Sequence, residues 1–182
     1  MIKKIIHYCW FGGKEKPDLV KKCIRSWEEN CPNYELKEWN EKTFDISLAP
    51  VYVREAYQQQ KWAFVTDYVR LWAMYNFGGI YMDTDVEVVK SLDMFLENKG
   101  FTGFEADEYM VTGIMAAQEG LPLIRELLLY YEDRKFVRED GSLDLTTNTV
   151  TITNELKKLG FKTNGKMQKI DGFTIYPRDY FC

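Results

Sequence analysis

Residues 62–77, WAFVTDYVRLWAMYNF, carry apolar side chains on almost every face, and a glycine pair and a short apolar run ending in Asp83-Thr84-Asp85 follow directly. Such a stretch marks a helix buried on most sides. The spacing predicts one long helical segment over residues 53–77, stopped by Gly78 where a left-handed C-cap is wanted. Thr66, Asp67 and Arg70 are its polar exceptions, and they share one face because positions three and four apart are neighbours on a helix. Charges flanked by tryptophan, phenylalanine and tyrosine are costly to bury unless something polar meets them. A ligand pocket accounts for them better than an Asp67–Arg70 pair holding the helix in place.

The rest of the chain supplies a sheet for that helix. Residues 2–10, IKKIIHYCW, read as a buried strand that stops at Phe11-Gly12-Gly13. Pro17 opens an amphipathic helix with Leu19, Val20, Cys23, Ile24 and Trp27 in its apolar stripe, and residues 34–39, YELKEW, alternate as a half-buried strand does. Strand, helix, strand at this spacing is a βαβ unit, so a parallel sheet follows. The turn WFGGKEKP holds neither the dinucleotide fingerprint G-x-G-x-x-G nor a P-loop. Short strands and loops over residues 79–118, helices over 121–133 and 149–159, and a terminal strand FTIYPRDYF complete the pattern.

Bulk composition excludes several functions. The chain has 182 residues, 46% hydrophobic, enough for one sizeable core and the length of one domain. A net charge of −4 without a basic block gives no reason to bind nucleic acid. The N-terminal apolar run is too short to span a bilayer, so the expectation is a cytoplasmic protein, with peripheral attachment at the inner face of the membrane left open. Cys9, Cys23, Cys31 and Cys182 lack metal-ligand spacing and read as reduced thiols. His7 is the one histidine, and inside a strand-like run it reads as a satisfied core residue, which weakens any histidine-based mechanism.

The aspartate pair carries the chemistry. In an extended segment, side chains at i and i+2 point the same way, about 6.6 Å apart. Asp83 and Asp85 would then converge, with Thr84 facing away. Two carboxylates so close repel unless a cation or a proton relieves them. Oxygen ligands without histidine or cysteine suit Mg²⁺ or Mn²⁺, completed by the oxygens of a phosphorylated substrate. A haloacid-type phosphatase also places D-x-D after a strand but wants a small or hydroxyl residue where this chain has Glu87.

With these residues in view, KIIHYCWFGG, AFVTDYVRLWAMYNFGGIYMDTDVE and GFTIYPRDYF resemble the DXD-containing glycosyltransferases of family 32. That family includes bacterial capsular-polysaccharide and lipopolysaccharide sugar transferases and yeast mannosyltransferases, with the catalytic domains of large clostridial toxins more distant. The resemblance implies an α/β GT-A fold: one Rossmann-like domain over residues 1–182 with a mainly parallel sheet, lacking the family's C-terminal segment. It implies a retaining, metal-dependent hexosyltransferase that moves a sugar from a nucleotide diphosphate, a UDP-sugar more than a GDP-sugar, to a glycan or lipid-linked acceptor. The alternative is an inactive nucleotide-sugar-binding domain.

Carried onto this sequence, the resemblance implies that Trp10 stacks on the base and that Asp67 and Arg70 hold the sugar and diphosphate. Asp83 meets the ribose and the metal's water, Asp85 ligates the Mn²⁺ or Mg²⁺ directly, and Tyr81 reaches the phosphate or sugar. Arg70, Asp83 and Asp85 are the expected catalytic residues. In residues 110–113, MVTG, relatives carry an asparagine where this chain has Val111.

Overall fold

The computed structural model describes residues 1–106 and 109–182, with side chains for all of these but 106 and 109–112. The Val111 comparison therefore lies outside the described side chains. Strand β1 (Ile5–Cys9), helix α1 (Asp18–Asn30) and strand β2 (Glu35–Trp39) form the expected βαβ unit. The two strands pair in parallel, Ile5 opposite Glu35 and Cys9 opposite Trp39. Helix α1 buries Val20, Cys23, Ser26 and Trp27. Leu19, expected in that stripe, is 60% exposed, because it sits one step of about 100° before Val20 and turns off the sheet.

The long helical segment is two helices, α2 (Val51–Gln58) and α3 (Trp62–Phe77). Between them Gln60 takes φ 53, Lys61 N donates to the Ala56 carbonyl and Gln60 N to that of Tyr57, each at 2.9 Å. These are the two bonds of a Schellman stop. A glutamine in the position that usually holds glycine hid the break from the sequence.

Helix α3 does end at Gly78, but not in a left-handed α conformation. Its φ of 65 comes with ψ 177, a region essentially reserved for glycine, and this sends the chain straight into strand β3 (Gly79–Met82). Strand β3 lies parallel to β1, with His7 opposite Tyr81.

Strands β4 (Gly100–Ala106) and β5 (Tyr109–Ala117), helices α4 (Pro122–Leu129) and α5 (Asn148–Lys158), and strands β6 (Gln168–Ile170) and β7 (Phe173–Tyr176) complete the fold. The sheet order is β2-β1-β3-β5-β4-β7-β6. The β2-β1-β3 side is parallel, β5 runs antiparallel to both its neighbours, and β7 is parallel to β4. The terminal strand stops at Tyr176, since Pro177 has no N–H to continue a ladder, and a 3-10 turn follows over Arg178–Tyr180. One face of the sheet packs on α1 through Cys23 and Trp27. The other packs on α3 and α5, and α2 and α4 pack in turn against α3, so that Val53, Val69, Ile124 and Ile152 share one core.

Candidate active site

Because β1 and β3 are parallel neighbours, their carboxyl ends bring Cys9, Trp10 and the aspartate pair to one edge of the sheet. A cavity of about 440 Å³ opens there, lined by Trp10, Lys14, Arg70, Tyr81, Asp83 and Asp85 among others. The pair does not lie on an extended strand. Strand β3 ends at Met82, Asp83 N donates to the Gly113 carbonyl at 2.8 Å, and Val86 N donates back to the Asp83 carbonyl at 3.1 Å. The aspartates thus sit on a tight turn. The two-residue alternation fails there, and Thr84 lines the same cavity as its neighbours.

Helix α3 delivers Arg70 to the cavity floor. Its Nη2 lies 3.1 Å from Asp67 Oδ1 and 3.3 Å from Asp83 Oδ1, and its Nε donates to the Thr66 carbonyl at 3.3 Å. The guanidinium carbon stands 4.5 Å from the centre of the Tyr81 ring, a cation–π contact, and Tyr81 Oη donates to Asp83 Oδ1 at 2.8 Å. Asp67, Arg70 and Tyr81 are buried, whereas Asp85 is exposed. Arg70 bridges the helix carboxylate and the strand-end carboxylate. Asp67 stands behind Arg70 and does not itself line the cavity.

Burial raises the Asp67 pKa to about 6, against the attraction of Arg70, with the Asp83 charge adding to the rise and the backbone N–H of Asn148, at the start of α5, opposing it. Burial alone would lower the Arg70 pKa, but the Asp83 and Asp67 carboxylates, with the electron-rich face of the neutral Tyr81 ring, outweigh it and keep the guanidinium charged. Burial likewise lifts the Tyr81 phenol and the Cys9 thiol well above their ordinary values, so both stay neutral. Cys9, Cys23 and Cys31 are buried free thiols, and Cys182 is an exposed one.

His7 is the core residue its strand suggested. Its Nδ1 accepts the Trp39 indole N–H at 3.2 Å, which leaves Nε2 to donate to the Gly78 carbonyl at 2.8 Å. Burial pushes its pKa from 6.5 down to about 4, with the Gly78 carbonyl opposing the fall and the Lys37 charge assisting it. Its contribution to stability is therefore present above pH 6.5 and lost as pH falls through about 4, on the order of 3 kcal/mol in all. Asp67 acts in the opposite sense: its contribution is present below pH 3.8 and lost as pH rises through about 6. The two nearly cancel in the wild type. In His7→Gln, urea unfolding between pH 7.5 and 4.5 is expected to show the Asp67 trend alone, with stability relative to wild type improving toward acid. Parallel profiles in the two proteins would refute the assignment.

Lys14, Trp62 and Gly12 escaped sequence reasoning. Trp10 Nε1 donates to the Lys14 carbonyl at 2.6 Å, and the Trp62 ring lies so close to Gly12 that a Cβ there would sit 2.7 Å from its indole nitrogen. The glycines of FGG had a signal, but only as a strand stop. Lys14 had none, because nothing local shows that its loop folds over the ends of β1 and β3. Glu87, by contrast, points away from the chemistry: it pairs with Lys22 of α1 at 2.9 Å.

A divalent cation fits this donor set in one particular way. Among the described residues no three His, Cys, Asp or Glu side chains gather to hold a metal. Asp83 Oδ1 is taken by Tyr81 and Arg70, while the Asp85 carboxylate makes no hydrogen bond or ion pair with a described residue. One free carboxylate and one half-engaged carboxylate on a cavity wall suit a hard cation completed by substrate oxygens and water, not a closed protein cage.

The family described as "Glycosyltransferase sugar-binding region containing DXD motif" matches residues 17–102, which include α1, α3, β3 and the aspartate pair. Inositol phosphoceramide mannosyltransferase 3 of Schizosaccharomyces pombe is 25% identical over 130 residues, 70% of this chain but 36% of that protein. The chain thus spans about a third of that relative's length. Among solved structures, the PaToxG glycosyltransferase superposes with a TM-score of 0.61 at 19% identity, over 87% of this chain and 70% of that one. The fold is GT-A. The matched family and the mannosyltransferase relative are both described as glycosyltransferases. In this GT-A frame the cavity occupies the crevice beyond the carboxyl ends of parallel strands, where open α/β sheets take their ligands. No helix among the described residues is long and apolar enough to cross a membrane.

Proposed function

We propose that this protein is a metal-dependent retaining glycosyltransferase that takes a sugar from a nucleotide diphosphate, a UDP-sugar in preference to a GDP-sugar, to a glycan or lipid-linked acceptor. Its setting is bacterial capsular or other surface polysaccharide synthesis, at the cytoplasmic face of the membrane. The observation that carries the reading is Arg70, buried, charged and held 3.3 Å from Asp83 on the floor of a cavity that also presents Trp10 and Asp85.

In this reading Trp10 offers a flat ring to the base. Arg70 faces the diphosphate with its planar fork. Asp67 keeps that fork aimed, and Asp83 is positioned for the ribose by the Tyr81 hydroxyl and Arg70. Tyr81, buried beside the phosphate position, fixes both partners. Asp85, with Asp83 beside it on the cavity wall, would hold Mn²⁺ or Mg²⁺, and such an ion would neutralise charge on the departing diphosphate. The protein's own part in the bond-breaking step is electrostatic: fixed charges placed where negative charge develops on the leaving group.

Asp85→Ala is expected to weaken Mn²⁺-dependent binding of nucleotide sugar by about 100-fold or more, the scale set by losses at metal-site residues. Its thermal midpoint should equal or exceed that of wild type, because a repelling, exposed carboxylate is removed. Calorimetric titration of UDP- and GDP-sugars with and without Mn²⁺ measures this, and an unchanged titration would sink the metal assignment. Transfer or slow donor hydrolysis by the wild type supports the enzyme, whereas binding alone leaves a nucleotide-sugar-binding domain.

A further inference from the structure

The loop over residues 11–16 is fastened along its length. Gly12 N donates to Glu41 Oε1 at 2.7 Å, the Lys14 carbonyl accepts from Trp10, and Lys16 bonds Glu38 at 2.8 Å. The backbone of Lys14 is thereby pinned at the rim of the site. Lys14 borders both the cavity described above and a second of about 440 Å³ lined by Gly12, Trp62, Glu41 and Tyr57. The neighbouring lysines are committed: Lys16 to Glu38, Lys21 to Glu15 and Lys22 to Glu87. The Lys14 ammonium makes no ion pair or hydrogen bond with a described residue, and Lys14 is exposed.

Charge shows what this cation is needed for. Arg70 is already shared between Asp67 and Asp83. Those two carboxylates and Asp85, set against the one guanidinium, leave the site two negative charges, which a single divalent cation cancels. A diphosphate donor would then meet a site with no net attraction. We propose that Lys14 binds the donor's diphosphate and supplies the positive charge that Arg70, tied to two carboxylates, does not. This rests on the reading of the cavity as a nucleotide-sugar site, and it adds a residue that carries no recognisable motif.

The test is calorimetric titration of UDP and GDP, each with Mn²⁺, into wild type, Lys14→Met and Lys14→Arg at low and high NaCl. Lys14→Met is expected to bind nucleoside diphosphate about tenfold more weakly, the scale of one charge-assisted contact. Its affinity should also depend less steeply on salt. Lys14→Arg should regain most of the loss. All three proteins should melt together, since the side chain is exposed. If Lys14→Met binds like wild type while Asp85→Ala has lost Mn²⁺-dependent binding, the donor site stands and Lys14 is not part of it. Equal weakening in Lys14→Arg and Lys14→Met would assign the effect to loop packing and overturn the proposal. If wild type binds neither diphosphate, the nucleotide-sugar reading falls and takes Lys14 with it.

Discussion

Arg70→Met is expected to cost about 3–5 kcal/mol of folding stability, the range for removing one partner of a buried ion pair, and to abolish donor binding. The cost arises because Asp67, buried behind Arg70, loses the guanidinium 3.1 Å away that offsets its desolvation. Its pKa, already about 6 with that help, then rises further. A raised folded pKa contributes stability at low pH and loses it as pH climbs through that value, so the deficit of Arg70→Met should be smaller at pH 5 than at pH 8. Adding Asp67→Asn should recover part of the stability, since no buried charge is then left without its counterion, but none of the donor affinity. Arg70→Lys keeps the charge and loses the planar fork, so it should retain most of the stability and impair turnover. Urea unfolding at both pH values and donor titration measure these effects. Wild-type binding in Arg70→Met would return Asp67 and Arg70 to a purely structural role.

Gly79→Ala is expected to destabilise by about 3 kcal/mol or more, lowering the melting midpoint by roughly 6–12 °C in a chain of this size. Two costs coincide at this position. The backbone holds φ 113, which side-chain-bearing residues rarely adopt, and an added Cβ would sit 2.7 Å from the Ile5 carbonyl oxygen and 3.1 Å from His7 Nε2. Neither neighbour is a flexible side-chain end. Strand β3 would have to move off β1, and with it the register that sets Asp83 beside Trp10. Gly13→Ala is the matched control: φ is 65, but nothing lies within 4 Å, so only the conformational cost of about 1 kcal/mol applies. Thermal melts of the two variants separate close approach from backbone strain. Equal midpoints would show that contact at the β1–β3 seam is not limiting.

The Gly78–Gly79 pair illustrates how far local pattern reaches. Its position after an all-apolar helix marked a stop and a strand, and both are present. What the pair does, passing the chain through a glycine-only conformation and letting β3 lie against β1, depends on a partner strand some seventy residues earlier in the sequence. The same limit explains the misread break at Gln60, where two backbone hydrogen bonds stabilise a positive φ without glycine. It also explains Asp83 and Asp85. Their residue types announced an oxygen-ligand site, but the turn that carries them is fixed by the hydrogen bond from Asp83 N to the Gly113 carbonyl, a contact across the sheet.

By itself, then, the sequence determined the elements and the kind of chemistry. Periodicity is a local property, which made the βαβ start, the buried helix and the amphipathic α1 readable, and residue type alone made the aspartate pair and Arg70 stand out. Tertiary structure alone decided which of these groups meet. It put Asp67 behind Arg70 instead of in the cavity, tied Arg70 to Asp83, gave His7 two core hydrogen bonds and brought Lys14 to the rim. Each of those outcomes is set by the pairing of β1 with β3 and the packing of α3 across them, and long-range register of this kind leaves no trace in the spacing of neighbouring residues.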